Sequence, residues 1–318
     1  MRRLASLFFS LFLCVLIFFP GCKNRKINSE TAELDELDSV EEELPVEDIA
    51  ETTMKALYRA YPDQISPAEF RDGDWAFLIG EKWFYYAEGR VLPEELRGEA
   101  AEYRAMRVNR NYRLELAPWS PPPERPPAER PPQTQNSGEG PNRRQPSSTS
   151  LDFYEAIWNI RSRDDAYKQM AEIDFLGHTL KIHSALKSKV QHINEIIMNE
   201  SKTNATVGQW IDSLGIVQGL NWRNVANSRS RSYHSYGIAI DLLPENLNGL
   251  ATYWQWSSQQ NPNWRAIPYS GRYHPPDVVI STFESFGFIW GGKWPNYDTM
   301  HFEYHPEVFI LSGIPIME

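Results

Sequence analysis

The chain has 318 residues, 41% of them hydrophobic and 23% charged, which is enough for one or two packed domains and too polar for a channel or other polytopic membrane protein. Acids outnumber bases by 42 to 32, but nine unopposed acids lie between Glu33 and Asp48, leaving 33 against 32 elsewhere; no basic face speaks for nucleic acid. The only cysteines are Cys14 and Cys22, so beyond them disulfides, thiol nucleophiles and thiolate metal sites are excluded, and any metal must sit on His, Asp or Glu.

Arg2 and Arg3 precede an apolar run from Leu7 to Phe19, the charged start and short apolar segment of a secretory signal. About thirteen apolar residues are too few to cross a bilayer. The run ends at Phe19-Pro20-Gly21-Cys22, which resembles a bacterial lipoprotein processing site. That resemblance implies a signal peptide over 1–21, lipid on Cys22, and acyl chains that hold the protein on an envelope membrane facing the periplasm. Lys23 rather than Asp follows the cysteine, which favours the outer membrane.

Residues 22–50 are acidic with few aromatics and read as a solvated tether. Over 51–117 apolar residues return: 74–86 reads as two short aromatic strands around Gly80-Glu81-Lys82, with a helix after Pro93. This is a small α+β segment. Its Trp75, Phe77, Trp83 and Tyr85 are either its core or a glycan-stacking platform. Residues 118–150 hold ten of the 23 prolines and read as an extended spacer.

The last segment, 151–318, contains all seven histidines. Phe153, Ile157 and Trp158 share a helical face, a second helix is expected over 163–173, and Leu176, Leu180 and Ile182 alternate as a strand. Ser184 is placed to cap a long helix with the stripe Leu186, Val190, Ile193 and Ile197, and Trp210 and Ile211 belong to a short one. Strands are expected over 216–222, 237–243, 288–290 and 301–304, with a helix over 276–286 between them. Helices first and strands late indicate an α+β fold with a small antiparallel sheet flanked by helices.

Two stretches carry chemistry. In Ser232-Tyr233-His234-Ser235-Tyr236-Gly237-Ile238-Ala239-Ile240-Asp241 a polar loop enters a strand on which Gly237, Ala239 and Asp241 face one way. Two minimal side chains beside a carboxylate make a recess, and if the loop bends back, starting at Gly237, His234 and Asp241 can share an ion. The third ligand is sought in Asp298-Thr299-Met300-His301-Phe302-Glu303-Tyr304-His305. His301 is chosen: His305 shares its face but lies about 13 Å along the strand, too far for the same ion, and Pro306 opposes a helix that would bring the two together. Asp298 is then placed as general base towards a water at the open fourth position of a zinc ion. His178 shares a strand face with Leu180 and Ile182 and is read as a satisfied buried residue, and His183 and His192 as structural or exposed.

The pattern Ser-x-His-x6-Asp followed by Asp-x-x-His, with the approach Phe286-Gly287-Phe288-x-Trp290-Gly291-Gly292, resembles the M15 zinc peptidases, which include D-alanyl-D-alanine carboxypeptidases and L-alanyl-D-glutamate endopeptidases. The resemblance spans roughly 219–306. It implies Zn2+ on His234, Asp241 and His301, Asp298 as catalytic base, a Hedgehog and D-Ala-D-Ala peptidase-like fold, and peptidoglycan stem peptides as substrates. Many carboxypeptidase members carry Glu where Asp298 stands and endopeptidase-like members often carry Asp, so both scissile bonds stay open. Arg223 is a candidate for a substrate carboxylate or the developing oxyanion, and Ser232 for a substrate hydrogen bond or for shaping the loop. Trp290, Trp294 and Tyr297 are candidate cleft residues. The rival reading is a metal-containing, non-catalytic peptidoglycan-binding lipoprotein.

Overall fold

The computed structural model describes residues 46–106, 112–120, 150–225 and 230–317. Cys22, residues 23–45 of the acidic tether and nearly all of the proline-rich stretch fall outside the described residues, while the last five tether residues, 46–50, are not a solvated linker but the first part of a helix.

The first elements are a helix, α1 (Val46–Ala60), and a four-stranded antiparallel meander: β1 (Glu69–Arg71), β2 (Asp74–Ile79), β3 (Lys82–Ala87) and β4 (Arg90–Pro93). The expected strand pair is β2 and β3, joined in register from Ala76↔Tyr85 to Ile79↔Lys82. The helix expected after Pro93 is a run of 3-10 turns, Glu94–Glu102, broken at Glu99. Phe77 and Tyr85 are fully buried, so the four aromatics cannot form one exposed platform. α1 was not expected from the sequence, which shows only a return of apolar residues after the acidic run. Met54 and Leu57 on the helix and Tyr61 directly after it are all buried, and the helix packs against β2.

α2 (Asp152–Trp158) follows, ending on left-handed Asn159. α3 (Arg163–Gln169) is opened by a capping box in which the Ser162 hydroxyl accepts from the Asp165 amide and the Asp165 carboxylate from the Ser162 amide. The sequence predicted helix to 173. The helix stops at Gln169, and β5 (Met170–Phe175) pairs residue for residue with β6 (His178–His183), with Ile173 and Phe175 buried in the alternation of a strand. His183, not Ser184, caps the next turn, its ring Nδ1 accepting from the Ala185 amide. Then come α4 (Lys187–Glu200), with Val190, Ile193 and Ile197 buried, and α5 (Ala205–Asp212), capped by Asn204.

The second sheet has the order β7 (Leu214–Gln218), β8 (Ala239–Pro244), β10 (His301–Tyr304), β9 (Phe288–Trp290). β7 ends at Gln218, four residues before the expected limit. Between β8 and β9 lie α6 (Trp254–Gln260), which the sequence did not signal, and α7 (Asp277–Ser285), within the expected helix. After β10, Pro306 opens α8 (Pro306–Leu311). Proline was taken to oppose a helix there; at the first helical position its missing N–H costs nothing.

The hydrophobic core runs without a break from the amino-terminal meander into the second sheet. Phe153 of α2 lies against Phe77 and Phe84, Tyr61 of α1 meets Trp158 and Tyr304 edge-on, and α1 packs on α8. On the other side Phe283 of α7 stacks on Phe302 of β10 at 4.2 Å. Each such fully buried aromatic contributes roughly 2–3 kcal/mol of transfer free energy. The described residues accordingly belong to one compact unit of α+β type.

Candidate metal centre

β8 and β10 are antiparallel neighbours with His301 directly opposite Asp241, Phe302 opposite Ile240 and Glu303 opposite Ala239. Phe302 and Ile240 turn into the core, so alternation sends His301 and Asp241 together to the opposite face. The His301 Nδ1 lies 2.7 Å from Asp241 Oδ1.

His234 reaches this pair from a 3-10 turn, Tyr233–Tyr236, that ends on Gly237 at φ +66°. The left-handed conformation bends the chain back, as the sequence required, and a Cβ on Gly237 would meet Met170 Sδ at 2.4 Å and the His183 amide at 2.7 Å. The Gly237 carbonyl accepts from that amide, fastening the turn to β6. His234 is wholly buried, with Nε2 3.1 Å from both Asp241 Oδ2 and His301 Nδ1.

Both imidazoles are oriented from behind. His234 Nδ1–H donates to the Gly219 carbonyl at 2.6 Å, leaving the Nε2 lone pair to face the other two groups. His301 Nε2–H donates to Glu303 Oε1 at 2.9 Å, leaving Nδ1 to do the same. Carboxylate and carbonyl partners of this kind fix ligand histidines in metal sites. The three ligand atoms lie within 4.8 Å of one another, and the 3.1 Å spacings approach the roughly 3.3 Å between donors on a tetrahedral zinc with bonds near 2.0 Å. The donor set, two neutral-capable imidazoles and one carboxylate, leaves a fourth position and suits zinc. The residues therefore fit the ion.

Electrostatics agree. Burial acts upward on Asp241, but the charges of His234 and His301 and their hydrogen bonds hold its carboxyl well below the ordinary range. Burial opposes charge on His301, yet Asp241 and Glu303 hold it well above an ordinary histidine. Where a proton sits on Nδ1, between imidazole and carboxylate, a cation is stabilised in the same way.

Asp298 precedes β10, its amide bonded to the Gly291 carbonyl and its backbone bridged to Tyr253. Its Oδ1 is buried and without a hydrogen-bond partner among the described residues. Burial pushes the carboxyl up to about 7, Asp241 and Glu303 adding to the effect and His301 and Arg223 opposing it. Arg223 is exposed and its charge acts on Asp298 and Tyr253 alike. Its backbone is stapled to the His234 turn: the Arg223 amide donates to Ser235 Oγ, Ser235 Oγ donates to the Arg223 carbonyl, and the Ser232 amide donates to the same carbonyl. Ser232 is buried and shapes the loop through its backbone, while the side-chain clamp belongs to Ser235. Trp290 and Tyr297 are core residues, and Trp294 lies beside His301 at 5.8 Å between ring centres.

Sequence reasoning singled out His234, Asp241 and His301, which the structure brings together, and gave no account of the shell behind them. Glu303 and His305 had been seen to share the His301 face, but they were weighed only as ligands. Gly219 and Tyr253 lie outside the two stretches that carry chemistry, and Ser235, inside the first, was given no role. Of the bland readings, His183 is buried, His178 half-buried on its strand, and His192 exposed and stacked on Phe286.

Residues 226–304 match the family model of D-alanyl-D-alanine carboxypeptidase of the peptidase M15 type, which supports an M15-like peptidase family. Residues 53–107 match a family model described only as a domain of unknown function. No curated protein and no solved structure matches the chain.

Proposed function

We propose that this protein is a zinc-dependent peptidase that hydrolyses peptidoglycan stem peptides at the cell envelope, on a scaffold of the Hedgehog and D-Ala-D-Ala peptidase type. The observation that carries the proposal is the buried His234-Asp241-His301 cluster with the partnerless carboxylate oxygen of Asp298 beside it. A non-catalytic binder needs the first and has no use for the second.

When bound by His234, Asp241 and His301, zinc supplies Lewis acidity to a scissile carbonyl and lowers the pKa of a water to about 7. Asp298, raised to about 7 by its burial, is matched to take a proton from that water near neutral pH and to return it to the leaving amine. The Trp294 ring lies 5.8 Å from that of His301, and the backbone of Tyr253 is bridged to that of Asp298. Arg223 is exposed on the loop clamped by Ser235, close enough for its charge to act on Asp298, and offers a fork of donors to a substrate carboxylate, which stem peptides carry in abundance. Cys22 as lipid anchor places this chemistry at the membrane surface, a reading supported by the residues of the amino-terminal run alone.

Incubating the full chain with purified muropeptides, with zinc and with a chelator, tests the proposal by mass spectrometry. Chelator-sensitive loss of a terminal D-Ala assigns a carboxypeptidase; cleavage between L-Ala and D-Glu, or at a crosslink, assigns an endopeptidase. Zinc-loaded, folded protein that binds muropeptides and cleaves none overturns the proposal in favour of the binding lipoprotein.

A further inference from the structure

The hydrogen bonds behind His301 do not stop at Glu303. Glu303 Oε2 faces His305 Nε2 at 3.4 Å, His305 Nδ1 lies 2.9 Å from Glu307 Oε1, and the Tyr61 hydroxyl donates to Glu307 Oε2 at 2.7 Å. Four side chains thus lead in unbroken contact from the metal cluster to α1, 246 residues away in sequence at the Tyr61–Glu307 link.

Each link has a structural cause. Alternation along β10 puts Glu303 on the face of His301, opposite the small side chain of Ala239. Pro306 turns the chain into α8 directly after His305, which brings Glu307 round into the first helical turn, where a carboxylate is favoured. Tyr61 arrives at the end of α1, wedged between Trp158 and Tyr304. The His305 ring is caged edge-on by Tyr233 and Tyr154. Tyr61, His305 and Glu307 are all buried, so water cannot replace a missing partner at low cost. Both nitrogens of His305 face carboxylate oxygens, so one imidazole ring spans two carboxylates and fixes the distance between them.

We propose that Tyr61 is a positioning residue for the metal centre: through Glu307, His305 and Glu303 it locks the ring of His301, so that the amino-terminal segment is part of the metal site rather than an accessory to it. The inference rests on His234, Asp241 and His301 holding zinc. Removing the Tyr61 hydroxyl frees one oxygen of Glu307, lets His305 rotate, and loosens the acceptor that holds His301 Nε2. Partners one shell out from a metal typically change affinity by about 10- to 100-fold; three links further on, a loss of about 3- to 10-fold is expected, by the same scale.

The test compares full-length wild type with Tyr61→Phe, His305→Gln and a control, Tyr85→Phe. Tyr85 is as buried as Tyr61 and donates to Asp72, within the same segment but away from the chain of contacts. Zinc affinity is measured by chelator competition, and ligand geometry by the visible absorption of the cobalt-substituted protein. Tyr61→Phe and His305→Gln should both weaken zinc and shift the cobalt bands, His305→Gln more, while Tyr85→Phe lowers thermal stability and leaves both readouts alone. Unchanged affinity and spectrum in a folded Tyr61→Phe protein overturn the proposal. Wild type that binds no zinc overturns the metal-site reading itself, and a Tyr85→Phe variant that weakens zinc as much as Tyr61→Phe reduces Tyr61 to general stability.

Discussion

His301 and Asp241 are direct cross-strand partners, and their Nδ1 and Oδ1 atoms stand 2.7 Å apart. Two residues 60 positions apart in sequence are therefore held by backbone register rather than by loop packing, and the cluster is set once β8 and β10 pair.

Asp241→Asn keeps the volume and the strand while removing the charge. It should lower zinc affinity by more than the about 100-fold that loss of an outer partner costs. Zinc at about a thousand times its dissociation constant stabilises a fold by about 4 kcal/mol, and at under about ten times by less than about 1.5 kcal/mol, so the zinc-dependent rise in melting temperature should be large for wild type and much smaller for Asp241→Asn. Calorimetric scans with and without the metal check this; equal zinc-dependent shifts in both proteins would remove Asp241 from the ligand set.

Asp298→Asn separates chemistry from binding. Zinc should remain, and turnover should fall by about 10²- to 10⁴-fold, the usual contribution of a general base. Because burial raises the Asp298 carboxyl to about 7 and only its ionised form accepts a proton, kcat/KM should rise with pH through an acid limb at or below about 7, a cation on the three ligands drawing the limb down. The pH profile of Asp298→Asn should lack that limb.

The site was legible in the sequence because its ligands fall in short motifs on or beside strands, where alternation alone says which side chains share a face. His234 and Asp241 needed only a bend, and Gly237 marked it. What was illegible depends on partners distant in sequence. Part of β5 was read as the end of a helix because a short polar stretch with few apolar residues carries no clear period, and its pairing with β6 is not a local signal. α1 and α8 were missed for the same reason: the apolar face of α1 makes sense only against β2 and α8, and Pro306 reads as a breaker until its place at the first helical position is known. Tyr61, at the far end of the contacts behind His301, lies in a segment with no chemical motif at all.

Gly237 carries two demands, φ of +66° and room for Met170 and the His183 amide. Gly237→Ala should cost about 1–2 kcal/mol for the left-handed backbone and about 1–3 kcal/mol more for overpacking. The turn would have to move, and His234 with it. Urea unfolding gives the stability loss, and chelator competition on the folded fraction should show weaker zinc binding; full affinity would mean that the turn tolerates the shift.

His183 supplies a pH-dependent stability that does not involve the metal. Its Nε2–H donates to the Trp158 carbonyl at 3.0 Å and its Nδ1 accepts from the Ala185 amide at 3.2 Å, so the ring is satisfied only when neutral. Burial lowers its pKa, with the Trp158 carbonyl opposing. A histidine whose folded pKa lies below its unfolded value of about 6.5 contributes stability that is complete above that value and is lost as pH falls towards the folded pKa. Protonation would also turn the Ala185 amide against a second donor. Other groups titrate over the same range, so the informative quantity is the difference between wild type and His183→Gln, whose amide can both donate and accept. The variant should be less stable at pH 8, and the gap should narrow steadily between about pH 6.5 and pH 5, because only wild type carries the burden of charging a buried ring. Urea unfolding of the two proteins across that range decides it: curves that fall in parallel would show that His183 keeps a water-like pKa and that its burial has no bearing on acid stability.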